Sequence, residues 1–75
     1  SYHSAMNTAA ALMKAEPKSA DYAFKYANCR GALKDKKTEL IYLKKAKKLA
    51  LESNANQDFL KEINSRIEKF GTGVN

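Results

Sequence analysis

Residues 15–30 read AEPKSADYAFKYANCR, and thirty-six residues further on the chain says nearly the same thing: residues 51–66 read LESNANQDFLKEINSR. Superposed without a gap, Glu16 falls on Glu52, Lys25 on Lys61, Asn28 on Asn64 and Arg30 on Arg66. Apolar character carries over as well, with Phe24 on Leu60, Ala27 on Ile63 and, just upstream, Met13 on Leu49. Each copy reads as the end of one helix, a polar turn and the start of the next. A self-match at a period of about 20–50 residues marks stacked supersecondary units, which bury a continuous core only against their neighbours. The repeat speaks for architecture before it speaks for a task.

Working outward from the first copy, Ala5, Ala9, Leu12 and Met13 form one helical stripe over Tyr2–Ala15. Ser1 or Ser4 is placed to cap it. Pro17 ends it, because proline disfavours helix in the residue before it. Ser19 is a good cap for a second helix, with Asp21 in the first turn, where the positive helix end favours an acid. Tyr22, Ala23, Tyr26, Ala27 and Leu33 are its stripe, widened by Phe24 and Cys29, and it should end near Leu33–Lys34. Gly31 lies inside this helix at a cost of about 1 kcal/mol against alanine, a position that suits close approach by a neighbour.

Asp35 follows in a short polar turn and can cap a third helix over Lys37–Glu52, with Leu40, Leu43, Ala46, Leu49 and Ala50 on one face, broadened by Ile41 and Tyr42, and Lys44, Lys45, Lys47 and Lys48 crowding the other. So short a turn makes the two helices antiparallel neighbours. After a second turn, Asn54 or Asn56 can cap a fourth helix. Its stripe, Phe59, Leu60, Ile63, Ile67 and Phe70, is the cleanest in the chain. Glu62 and Arg66, four apart, suit a supportive pair on its surface. Gly71 stands where a helix-ending glycine is usual. No strand pattern occurs. The expected fold is all-α: four antiparallel helices stacked as helical hairpins, with a plain four-helix bundle as the alternative. Residues 1–70 should form one domain, or a piece of a longer repeat array, with 71–75 as a flexible tail.

Composition narrows the function classes. The chain has 75 residues, 44% of them hydrophobic and 29% charged, which suits a folded domain with a small core. No apolar run approaches the roughly 18 residues of a membrane span. One cysteine, Cys29, excludes an internal disulfide framework and fits a reducing compartment such as the cytoplasm. A net charge of +6 favours acidic partners. No glycine-rich phosphate loop, nucleophile motif or metal-ligand spacing stands out, and His3 is isolated. The sequence therefore reads as non-catalytic, with no cofactor and no metal site.

Two helix pairs with short turns and a period near thirty-four residues resemble the tetratricopeptide repeat, over roughly Ala9 to Phe70. The piece AALMKAEPKSADYAFKYA looks like the end of one such repeat and the opening of the next, with Ala27 as the small residue of the repeat's first helix. YLKKAKKLA resembles the second helix, with Leu43 as its large residue and Ala46 as its small one. The chain departs from the pattern in three places. Arg30 stands for an aromatic, no proline ends the third helix, and Glu39 falls where another small residue belongs.

That resemblance implies about two repeats whose first helices, the second and fourth of this chain, line a peptide-binding groove. Phe24, Asn28, Leu60 and Asn64 would then face an acidic or amphipathic peptide, with Lys25 and Lys61 at the rim. Asparagine offers donor and acceptor together and lysine adds charge, a combination suited to carboxylates. Asn28 resembles the asparagine of the clamp with which some members hold peptide tails. The lysine of that clamp lies four residues earlier, where this chain has Phe24 and Leu60, so the full clamp is absent.

A second reading is nucleic-acid binding through the basic face of residues 34–48. Lys36, Lys37, Lys44, Lys45 and Lys48 would hold phosphates, and Tyr22, Tyr26 and Tyr42 would stack on bases. A third is a structural segment docking on a larger protein or on a second copy of itself.

Overall fold

A computed structural model describes residues 1–71 and contains four α-helices: α1 (Tyr2–Ala15), α2 (Ala20–Ala32), α3 (Lys36–Glu52) and α4 (Gln57–Gly71). The described residues form no strand. Thr72–Asn75 of the expected tail lie outside the described residues, and Gly71 belongs to the last turn of α4 instead of following it.

Local chemistry sets the boundaries. Ser1, Ser19, Asp35 and Asn56 each accept a hydrogen bond from a backbone N–H three residues on, at 3.3, 3.1, 3.2 and 3.0 Å. Each thereby satisfies a first-turn donor that the helix itself leaves unpaired. Two helices also end alike. Lys34 adopts φ 69° and Asn54 φ 55°, in the left-handed region that closes a helix. At the end of α2 the Lys34 N–H donates to the Gly31 carbonyl and the Asp35 N–H to the Arg30 carbonyl. At the end of α3 the Asn54 N–H donates to Leu51 and the Ala55 N–H to Ala50. Of the two asparagines suited to capping α4, Asn56 does so while Asn54 terminates α3.

Each helix packs extensively on its neighbours in sequence, α1 on α2, α2 on α3 and α3 on α4. The first and last helices do not close on one another, as a plain four-helix bundle would require. The result is an open row of helical hairpins, 35 × 30 × 16 Å. The core comprises Ala20, Ala23, Phe24 and Ala27 of α2, Leu43, Ala46, Leu49 and Ala50 of α3, and Leu60 and Ile63 of α4. Alanine dominates the α2–α3 seam and lets those two helices approach closely, but it contributes little apolar area. Leu43 and Ile63 are the largest side chains buried completely, each worth roughly 1.5–3 kcal/mol of burial.

The stripe of α3 differs from the expected one at two residues, Ile41 and Glu39. Ile41, expected to broaden the buried face, stands between Lys37 and Lys44 on the outer side of the helix and is 53% exposed. Glu39, four residues before Leu43, lies on the buried face at 5% exposure, while Leu40 sits half-buried at its edge. Gly31 makes this possible. A Cβ at position 31 would stand 2.5 Å from the Glu39 carboxyl. The close approach expected at Gly31 is therefore made by a carboxylate.

Candidate functional site

An open groove of about 450 Å³ runs between α1 and α2. Ala5, Thr8, Ala9 and Leu12, one helical face, form the α1 wall, and Lys25, Asn28 and Cys29 form the α2 wall. The α1 wall is shallow because its residues are small. Both polar side chains on the α2 wall, Lys25 and Asn28, are residues that the sequence marks for peptide binding.

Their chemistry is asymmetric. Lys25 lies 3.2 Å from Asp21, with both side chains more than half exposed. Such a pair is worth little, so the ammonium group can exchange it for another carboxylate. Asn28 is held from behind: the Arg66 guanidinium of α4 donates to its side-chain oxygen. A guanidinium carries only donors, so it fixes which way the amide faces. The amide's own N–H donors have no protein partner among the described residues and reach solvent.

Arg66 is itself anchored. Its second nitrogen donates to Glu39 Oε2 at 2.6 Å, and its guanidinium lies over the Phe24 ring, 5.7 Å from the centroid. The Glu39 side chain is only 7% exposed. Its other oxygen, Oε1, is buried without a hydrogen-bond partner, so among the described residues Arg66 is the one ion-pair partner of a carboxylate removed from water. A chain of three side chains thus links α3 through α4 to the groove wall on α2. The surface pair expected between Glu62 and Arg66 is not formed, because Glu39 draws Arg66 inward and Glu62 stays exposed.

The other residues expected at a peptide site are placed differently. Phe24 and Leu60 are core residues, 7% and 8% exposed; Phe24 meets Phe59 edge-on at 5.3 Å. Both are turned into the core, where they carry the packing of α2 and α4 onto α3. Lys61 is exposed and Asn64 half-buried on α4, and neither lines the groove. The repeat therefore matches in burial, while Lys25 and Asn28 of its first copy line the groove and Lys61 and Asn64 of its second do not. What the sequence reading missed is Arg66 as the group behind Asn28, and Glu39 behind Arg66. The available signal was an isolated acid at the head of the Leu43–Ala46–Ala50 stripe.

The lysines of α3 face solvent, with Lys36, Lys37, Lys44, Lys45 and Lys48 exposed and Lys47 partly so. Of the tyrosines paired with them in the nucleic-acid reading, none is exposed, and Tyr22 and Tyr42 are half-buried. Tyr26 is buried and packs against Tyr42, 4.7 Å between centroids. Tyr26 is also engaged by Arg30, whose Nε donates to the Tyr26 hydroxyl at 3.0 Å. That hydrogen bond raises the arginine's pKa above its ordinary value. Among the described residues no helix is long and apolar enough to cross a membrane.

Comparison with family models, with curated proteins and with solved structures found no match to this chain.

Proposed function

We propose that the chain is a non-catalytic, tetratricopeptide-like interaction module that holds an acidic or amphipathic peptide segment in the groove between α1 and α2. The observation that carries this reading is the Lys25–Asn28 wall. An ammonium and a pre-oriented amide donor stand one helical turn apart beside a shallow floor of small residues. That pairing suits a carboxylate, through a charge-assisted hydrogen bond from lysine and a neutral one from asparagine. The floor of Ala5, Thr8 and Ala9 accepts backbone at close range, and Leu12, 37% exposed, offers apolar contact. The sequential packing of helices along an open row fits stacked helical repeats.

An amide-resolved NMR titration with an acidic, carboxylate-ended peptide tests this. Shifts should gather at Ala5, Thr8, Ala9, Leu12, Lys25 and Asn28 and persist at raised salt. Silence at these residues, or shifts restricted to α3, would reject it.

A further inference from the structure

We propose that the outer face of α3 is a docking surface for an anionic lipid bilayer, independent of the groove. Opposite the buried residues Glu39, Leu43, Ala46 and Ala50, the stripe Lys37, Ile41, Lys44, Lys48 and Leu51 points to solvent. Ile41 and Leu51 are 53% and 55% exposed, well beyond what packing on α2 and α4 requires. Lys36, Lys45 and Lys47 flank the stripe, and among the described residues none of these α3 lysines forms an ion pair; Lys45 lies 6.0 Å from the centre of the Tyr42 ring. Of the acids on the helix, Glu39 is taken up by Arg66, which leaves Glu52 at the end. The face is therefore strongly basic with two apolar side chains in its midline.

Three occupants fit the charge, and the rest of the face separates them. A nucleic acid would use the lysines but leave Ile41 and Leu51 without a role. Of the tyrosines that would stack on bases, Tyr26 is buried against Tyr42 and none is exposed, and both arginines are engaged elsewhere. A single acidic helix laid along α3 would meet the stripe but not Lys45 on one flank together with Lys36 and Lys47 on the other, which the turn of about 100° per residue sets on opposite sides of it. A bilayer surface has no such limit. With α3 lying flat over its length of about 25 Å, the two apolar side chains reach the headgroup–acyl boundary. The lysine stems follow while their ammonium groups stay with lipid phosphates and carboxylates, each lysine tightening binding about fivefold.

Co-sedimentation with vesicles of phosphatidylcholine, with and without phosphatidylserine, tests the proposal. The chain should sediment with the serine-lipid vesicles at low salt and remain in solution with phosphatidylcholine alone. Ile41→Ser with Leu51→Ser alters no charge and should weaken binding about tenfold. Lys44→Gln with Lys48→Gln should weaken it about thirtyfold. All four positions are exposed, so helicity by circular dichroism should be unchanged, and Lys25 and Asn28 variants should bind vesicles normally. No association with anionic vesicles would overturn the proposal. So would association indifferent to Ile41 and Leu51, or tighter binding of a short oligonucleotide that is equally indifferent to them.

Discussion

Arg30 and Arg66 occupy the same position in the two repeat copies and do different work. Arg30 turns along its own helix to the Tyr26 hydroxyl and to Asp35 at 3.5 Å, a local cluster at the edge of the α2–α3 turn. Arg66 leaves its helix, compensates a buried carboxylate on α3 and orients an asparagine on α2. The difference lies beneath the arginines, not in them. Glu39 can lie buried only where Gly31 leaves room, and α4 meets that one carboxylate. A repeated sequence thus fixes a repeated fold position, while the neighbour decides its role.

Breaking the longer arm should cost most. Arg66→Ala leaves the Glu39 carboxylate buried without a counter-charge, and chemical denaturation should show a loss of about 3 kcal/mol. Arg66→Ala combined with Glu39→Ala should lose clearly less than the single change, because the uncompensated charge goes too. Equal losses would mean that the pair is not coupled.

Gly31→Ala comes next. At an ordinary helix position this change adds about 1 kcal/mol of stability. Here the new methyl meets the Glu39 carboxyl at 2.5 Å, and since Arg66 holds that carboxyl in place, a loss of about 1–2 kcal/mol is expected. In a Glu39→Ala background the same substitution should turn stabilising, a sign change readable in melting temperature.

Arg30→Ala should fall within the small range of surface substitutions, well below Arg66→Ala in the same denaturation experiment. A comparable loss would erase the contrast between the two copies.

The smallest expected effect concerns Asp35, beside Arg30. Hydrogen bonds from Thr38, side chain first and backbone N–H second, hold its carboxyl below the ordinary range, with Arg30 helping. Its folded-state pKa is depressed, so its contribution is complete above the unfolded value and fades as pH falls through the folded one, below about pH 4. Asp35→Asn keeps a capping oxygen but cannot titrate. Its loss of stability over that acid range should be shallower than that of the parent chain.

Much of the fold was legible in the sequence because it rests on local rules. Caps at Ser19 and Asp35, the break at Pro17 and the spacing of Phe59, Leu60, Ile63 and Ile67 depend on residues within a turn or two of one another. The start of α3 moved by one residue, to Lys36, since Asp35 caps from immediately before it. The site was legible only in half. Lys25 and Asn28 were marked by the repeat and line the groove; Lys61 and Asn64 were marked equally and do not. Phe24 and Leu60 read as exposed anchors by resemblance, but the small alanine seam leaves them to fill the core. Arg66 reaches Asn28 across thirty-eight positions of sequence, and no periodicity encodes that contact.

The measurement that tests the central claim most directly compares the two repeat-related asparagines. Affinity for an acidic, carboxylate-ended peptide would be measured for the parent chain, Asn28→Asp and Asn64→Asp. Asn28→Asp replaces the groove-facing donors with a negative oxygen and should reduce binding at least tenfold, while Asn64→Asp should leave it nearly unchanged. Equal sensitivity at both positions, or indifference at Asn28, would contradict a groove between α1 and α2 built on the Lys25–Asn28 wall.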